Sequence, residues 1–173
     1  MIANTPARFG LLSRAIHWVM AVGIIALLAL GTYIDNMTPG LSNLWLFGLH
    51  KSLGLSMLLL AVFRIIWHRV SPPPAPLPAP RWQEVAAKTA HHLLYALLLL
   101  VPLSGWIGAA ATGIDVSLWG VTLPPIAPVS EAWDKTAFVA HGILTKLLFI
   151  VLLVHIAGAL KRRDGTLKRM VSG

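Results

Sequence analysis

Four long apolar stretches dominate the chain, and polar residues are concentrated between them. Each stretch is long enough to cross a bilayer, which requires about 20 apolar residues. Uninterrupted runs of Leu, Ala, Ile and Val favour helices, whereas a membrane barrel would alternate apolar and polar residues over segments of about ten. The sequence therefore predicts an all-α membrane protein, a four-transmembrane-helix bundle that forms one domain over residues 1–173. The predicted helices cover roughly residues 15–33, 45–67, 89–110 and 137–160.

The composition supports a membrane protein and excludes several kinds of chemistry. Of the 173 residues, 57% are hydrophobic and only 12% are charged, which is about half the charged fraction of a soluble domain. The chain contains no cysteine. Disulfides, thiolate zinc sites, iron–sulfur clusters, cysteine-attached haem and cysteine nucleophiles are therefore excluded.

The formal net charge of +8 comes from basic residues that lie mostly on one side of the predicted membrane. By the positive-inside rule this side is cytoplasmic, so both termini are expected in the cytoplasm. The charge is thus a topology signal, and we expect no nucleic-acid partner. All but three of the 14 Lys and Arg residues belong to this group: Arg8, Arg14, Arg64, Arg69, Arg81, Lys88, Lys161, Arg162, Arg163, Lys168 and Arg169.

Two connecting segments have distinctive compositions. Residues 71–80 are proline-rich and predict an extended, semi-rigid strap. The longest connection, residues 112–135, contains Trp119-Gly120 and is expected to lie on the membrane surface. Neither segment predicts a separate soluble module.

The chain contains seven histidines, and an ionisable residue within a membrane helix is a candidate functional residue. His141 and His155 are 14 residues apart, which places them within about 40° on one helix face and about 21 Å apart along the axis. His50 should lie level with His141 on the outer side, and His17 level with His155 on the inner side. A lone histidine in a span often makes only an inter-helix hydrogen bond. Two levels that each hold a facing pair predict metal-ligand pairs instead.

Histidine pairs on facing helices are typical axial ligands of haem. Zinc or a di-iron centre would require acidic or thiolate ligands at the same depth, and the predicted spans contain none. The sequence thus predicts two haems, held by His50 with His141 and by His17 with His155. Small residues would leave room for the macrocycle, and close helix packing is the alternative explanation for them. These glycines are Gly48, Gly54, Gly105, Gly108, Gly142 and Gly158.

Other polar residues have more than one interpretation. His91 is an alternative inner ligand, a quinone contact or a packing residue. His68 is expected at the cytoplasmic rim of the bundle, and His92 is expected to face either the lipid or the rim. Lys146 lies about 140° from the His141 face of its helix, where it would extend to the membrane surface, pair with a polar group or contact a haem propionate.

Short motifs are spread over nearly the whole chain. They are Arg8-Phe9-Gly10, Ile16-His17-Trp18, Leu49-His50-Lys51-Ser52-Leu53-Gly54, His91 with Tyr95 and Pro102, Trp119-Gly120-Val121-Thr122-Leu123-Pro124, and His141-Gly142 with His155. Their combination resembles the bacterial cytochrome b561 family, which also includes the cytochrome b subunits of nickel–iron hydrogenases and formate dehydrogenases. No single motif is specific, but the combined histidine spacing is.

This resemblance implies a four-helix membrane cytochrome with two haem b groups and four axial histidines, matching the two pairs above. The first and fourth helices would hold the cytoplasmic haem, and the second and fourth the outer one. Stand-alone members of the family resemble superoxide oxidases, which pass an electron from periplasmic superoxide to ubiquinone. The resemblance places the quinone site around His91 and Arg162, although the tail position that often carries histidine is basic here.

We therefore expect a di-haem b cytochrome of the bacterial inner membrane, an oxidoreductase that transfers electrons between a periplasmic donor and ubiquinone. Superoxide is the first candidate donor. Lys51 and Lys135 would attract this anion electrostatically, or they are solvated flanking charges. The alternative function is a membrane anchor and electron conduit for a partner dehydrogenase or a soluble periplasmic redox protein. The expected partners are membrane lipid, quinone, and either a small-molecule donor or such a redox protein.

Overall fold

The structure, a computed structural model, describes residues 1–172 and consists mainly of four long helices. A short antiparallel hairpin precedes the last long helix, and a short helix follows it. The long helices are each long and apolar enough to cross a membrane, which confirms the predicted bundle. In chain order the elements are α1 (Leu11–Asn36), α2 (Trp45–Val70), α3 (Arg81–Ala111), β1 (Val116–Leu118), β2 (Val121–Leu123), α4 (Glu131–Lys161) and α5 (Thr166–Val171).

Helices α3 and α4 extend well beyond the predicted apolar stretches. Each contains 31 residues, or about 46 Å at 1.5 Å per residue, against a hydrocarbon core of about 30 Å. α3 begins at Arg81, directly after Pro80 ends the extended strap. α4 begins at Glu131, where the Ser130 side chain accepts a hydrogen bond from the Trp133 N–H. The polar first turns of both helices therefore project past the apolar part of the bundle.

The helices pack unevenly around the bundle. α3 and α4 share the most extensive contact, followed by α1 with α2 and by α2 with α3. Within residues 1–172, neither α1 with α4 nor α2 with α4 is a closely packed helix pair. Side chains from all four long helices nevertheless meet in one buried cluster, formed by Ile16, Met20, Ile24, Ala61, Leu97, Leu148 and Val151.

The connection between α3 and α4 folds into a hairpin that is anchored to α2. Its two-residue turn has φ values of 50° at Trp119 and 92° at Gly120, and positive φ at both positions is typical of a type I′ turn. The Ser52 hydroxyl donates to the Ser117 carbonyl at 3.1 Å. The Trp119 indole N–H donates to the Ser56 hydroxyl at 3.0 Å. The segment expected on the membrane surface is therefore a hairpin held by the serines of α2.

The N-terminal segment, the proline-rich strap and the tail meet at one end of the bundle, here called the basic end (residues 1–10, 71–80 and 162–172). The Asn4 backbone and side-chain N–H groups donate to the hydroxyl and carbonyl of Ser71 at 2.9 and 2.7 Å. Arg169 donates to the carbonyl of Ala75 at 3.0 Å. Both termini therefore lie at the same end of the bundle, with α5 packed against it.

Candidate functional site

One histidine pair lies between α2 and α4 at the end of the bundle opposite the basic end. The ring centroids of His50 and His141 are 6.3 Å apart, and the ring planes cross at 82°. His141 Nδ1 lies 2.9 Å from the Val101 carbonyl oxygen and 3.2 Å from the Ser104 hydroxyl. Because a carbonyl can only accept, Nδ1 carries the proton and Nε2 keeps its lone pair. A neutral imidazole in this tautomer is a metal ligand with an oriented ring.

Glycines on neighbouring helices leave the space that these two rings occupy. A Cβ at Gly31 of α1 would lie 3.1 Å from His50 Cε1. A Cβ at Gly105 of α3 would lie 3.1 Å from both Cε1 and Nδ1 of His141. Gly105 therefore makes room for the His141 ring and not for a macrocycle, because this ring itself fills the space.

The other glycines singled out in the sequence fall into two groups. Gly108 resembles Gly105, since an added Cβ would lie 3.2 Å from the Phe138 ring. A Cβ at any of the remaining four would meet nothing within 4 Å. These open positions are Gly48, Gly54, Gly142 and Gly158.

Three histidines meet nearer the basic end. The ring centroid of His155 lies 6.3 Å from that of His17 and 5.2 Å from that of His91. His155 on α4 thus contacts both α1 and α3. His17 also packs edge-on against Trp18, whose indole N–H donates to the Met170 carbonyl of α5 at 3.0 Å. The structure therefore places both candidate inner ligands, His17 and His91, beside His155, at different ring separations from it.

These separations can be compared with the requirement for a metal ion between two imidazoles. Metal–nitrogen bonds of about 2 Å place the two ring centroids about 6 Å apart. The His50–His141 and His17–His155 pairs, both at 6.3 Å, match this span. The His91–His155 separation of 5.2 Å is shorter than the span. Among residues 1–172, no group of three or more His, Asp or Glu side chains is arranged to hold a metal ion. Ligation by two histidines, as in a b-type haem, is the arrangement that the two 6.3 Å separations fit.

The surroundings of both pairs also fit a flat macrocycle. The pairs bridge α1 to α4 and α2 to α4, which are not the closely packed helix pairs of residues 1–172. Gly54, Gly142 and Gly158 lie within one helical turn of a paired histidine, and each adjoins open space. At the outer level, His50 Nδ1 and Trp106 Nε1 are buried without a hydrogen-bond partner in the described chain. A site that a bound group completes would have these properties.

A row of three hydrogen-bonded side chains near the inner histidines was not predicted from the sequence. Arg64 Nε donates to the Tyr95 hydroxyl at 3.1 Å, and this hydroxyl lies 3.1 Å from His68 Nδ1. Tyr95 lies one helical turn from His91 on α3, which places this row beside the inner histidines. The sequence did contain one indication of this row. Arg64 and His68 are four residues apart, as are His91 and Tyr95, and this spacing places each pair on one helix face.

The lysines singled out in the sequence have different surroundings. Lys51 Nζ donates to the Asp115 carbonyl at 3.3 Å and lines a cleft of about 400 Å³ between α2 and the hairpin. Lys135 forms an exposed ion pair with Glu131 at 2.6 Å. Lys146 is exposed at the midpoint of α4. Lys51 thus faces a cleft, whereas the charge of Lys135 is balanced by its neighbour.

Arg162 belongs to a hydrogen-bonded group in the tail. Its guanidinium donates to Asp164 at 2.8 Å and to the Leu77 carbonyl of the strap at 3.2 Å. The backbone N–H and hydroxyl of Thr166 donate to Asp164 at 2.9 and 2.6 Å. The hydrogen bonds from Thr166, followed by those from Arg162, lower the pKa of Asp164 to about 2. Arg162 therefore joins the tail to the strap, and its contact with quinone stays a prediction.

Comparison with known proteins agrees with this arrangement. The family model described as prokaryotic cytochrome b561 matches residues 8–173. Cytochrome b561 homolog 2 of Escherichia coli (strain K12) is 33% identical, over 97% of this chain and 93% of its own length. The probable superoxide oxidase CybB of Yersinia pestis is 25% identical, over 95% of this chain and 96% of its own. The chain therefore belongs to the prokaryotic cytochrome b561 family, as its motifs predicted, and is a membrane electron-transfer protein that binds b-type haem.

Proposed function

We propose that this protein oxidises superoxide at the outer histidine level and reduces ubiquinone near the basic end. In the balanced reaction, two superoxide anions, one quinone and two protons give two dioxygen molecules and one quinol. The observation that carries the proposal is the double role of α4, which presents His141 at one level and His155 at the other, each facing a histidine of another helix. The relative named as a probable superoxide oxidase supports superoxide as the donor.

In this proposal His50 and His141 hold an outer haem b, and His17 and His155 hold an inner one. Each haem, when bound, would supply a one-electron carrier held by two histidines. The protein orients these ligands, as the Val101 carbonyl does by fixing the tautomer of His141. Such supporting hydrogen bonds also raise the basicity of a ligating imidazole.

The proposed direction of transfer depends on the orientation of the bundle. The excess of Lys and Arg at the basic end favours the cytoplasm for this end, and we infer that the chain lies in the bacterial inner membrane. Superoxide would then arrive near Lys51, whose positive charge increases the encounter rate with an anion. His91 and Arg162 are the first candidates for contact with quinone at the other end.

Rapid mixing of the purified protein with superoxide, followed by ubiquinone-1, tests the proposal. The b-type absorption bands should show reduction within the mixing experiment, and one quinol should form for every two superoxide anions consumed. Superoxide dismutase in the superoxide syringe should abolish the signal. His92→Leu, an exposed histidine change on α3, is the matched control and should behave as wild type.

One result would contradict the choice of donor. If superoxide leaves the bands oxidised while dithionite reduces them, superoxide is not the substrate. The protein would then act as the anchor and electron conduit for a partner dehydrogenase or a soluble periplasmic redox protein. Reoxidation of the dithionite-reduced protein by ubiquinone-1 is a separate measurement, which tests the acceptor without reference to the donor.

A further inference from the structure

A second cleft lies between α2 and α3, near the basic end. It has a volume of about 270 Å³ and is lined by Ile65, His68, Arg69 and Tyr95. Tyr95 lies one helical turn along α3 from His91, and the His91 ring centroid is 5.2 Å from that of the inner histidine His155. The cleft is therefore about one turn away from the inner level. The sequence analysis assigned His68 only to the rim of the bundle.

The hydrogen bonds at this cleft determine which nitrogen of His68 carries a proton. Arg64 Nε can only donate, so the Tyr95 oxygen accepts at 3.1 Å. In the described chain, the hydroxyl proton of Tyr95 has no acceptor other than His68 Nδ1, at 3.1 Å. His68 Nδ1 therefore accepts, and the ring proton resides on Nε2.

This proton makes His68 Nε2 a buried donor without a partner. Nε2 is buried and has no hydrogen-bond acceptor within residues 1–172. An unsatisfied buried donor is costly, so an acceptor that reached this nitrogen would gain a hydrogen bond at little cost in solvation. Arg69 lines the same cleft and is exposed.

The cleft suits a group that accepts one hydrogen bond from His68 Nε2. His68 and Arg69 lie in the last turn of α2, which ends at Val70. A carbonyl oxygen on an apolar ring has the required chemistry, because it accepts a hydrogen bond without carrying a charge.

We propose that this cleft binds the quinone headgroup, with one quinone carbonyl accepting a hydrogen bond from His68 Nε2. The assignment rests on the proposed function, which requires a quinone site near the inner histidines. His68 then binds the acceptor, and Tyr95 and Arg64 are positioning residues that fix its tautomer. Quinone recognition moves from the first candidates, His91 and Arg162, to the α2–α3 cleft.

Anaerobic reoxidation of the dithionite-reduced protein by ubiquinone-1 tests this site. His68→Leu should raise the quinone concentration for half-maximal rate about tenfold, the effect of one lost hydrogen bond, with the maximal rate within about twofold of wild type. His68→Gln keeps an N–H donor and should restore most of the affinity. Tyr95→Phe releases the tautomer and should raise the half-saturating concentration by a smaller factor.

The controls separate failure of this site from failure of the proposed function. Absorption spectra establish that each variant retains its haems, and Tyr95→Phe provides the same test if His68→Leu does not assemble. An unchanged half-saturating concentration in His68→Leu, or an increase in His91→Leu alone, would overturn the assignment to the cleft. A wild-type protein that ubiquinone-1 does not reoxidise would instead refute the proposed acceptor, and this site with it.

Discussion

The close packing of Gly105 against the His141 ring predicts that even a methyl group at position 105 disturbs the proposed outer site. In Gly105→Ala, the new methyl group would lie 3.1 Å from both Cε1 and Nδ1 of the His141 ring. The ring would have to retreat by a few tenths of an ångström. It cannot do so at no cost, because its Nδ1 is hydrogen-bonded at 2.9 Å to the Val101 carbonyl on the same helix as Gly105.

The magnitude follows from two opposing effects. Overpacking of this kind costs about 1–3 kcal/mol. Alanine is favoured over glycine within a helix by about 1 kcal/mol. The net change in stability is therefore between about zero and a loss of about 2 kcal/mol, with the strain concentrated on an outer ligand. Gly48→Ala is the matched control, since its Cβ would meet nothing within 4 Å and only the helix term applies.

Haem content per chain and an optical redox titration measure the outcome. Gly105→Ala should lose haem from the outer site or shift the potential of that site, while the inner site keeps the wild-type potential. Gly48→Ala should titrate as wild type and melt at an equal or higher temperature. If Gly105→Ala retains both haems at unchanged potentials and melts as Gly48→Ala does, the packing of Gly105 against a ligand ring is refuted.

Three further predictions concern other parts of the molecule. His17→Leu should retain one haem and His91→Leu should retain both, as counted by pyridine haemochrome. The reason is that His17, unlike His91, lies at the distance from His155 that a metal ion between two imidazoles requires. The reverse result would assign His91 as the ligand. Lys51→Glu should slow superoxide consumption and flatten its salt dependence in stopped-flow measurements. Lys135→Glu should change the rate less, because Glu131 already balances the charge of Lys135. Equal effects of the two variants would show that Lys51 has no specific part in capturing superoxide. Since the pKa of Asp164 is lowered to about 2, its contribution to tail docking should be complete above about pH 4 and lost as pH falls toward 2. In the wild type, the hydrogen-exchange rates of the α5 amides, corrected for intrinsic rates, should thus be equal at pH 4 and pH 7. The same amides should exchange faster in Asp164→Asn. Equal protection of these amides in the variant and the wild type would contradict the role of Asp164.

Much of the bundle could be predicted because it depends on periodic, additive properties. The apolar runs predicted the four helices, since a span is defined by length and hydropathy alone. The spacing from His141 to His155 predicted two levels on one helix, because rise and rotation per residue are fixed. Both levels hold facing rings in the structure.

The parts that escaped prediction depend on contacts between distant residues. The hairpin has strands of three residues each, too short for an alternating pattern, and the serines that anchor it lie on another helix. Whether Gly105 leaves space for a ring or a macrocycle depends on what faces it across the bundle. The proposed role of His68 depends on its hydrogen bond with Tyr95, which lies on another helix, α3.

The shared helix α4 also constrains how the protein is made. Translation proceeds from the N-terminus, so α1, α2 and α3 have been synthesised before either His141 or His155. Each histidine pair thus lacks one member until α4 has been synthesised and inserted into the bilayer. If the proposed pairs hold haem, loading of both sites follows insertion of α4, and a chain truncated before residue 141 would lack one ligand of each proposed pair.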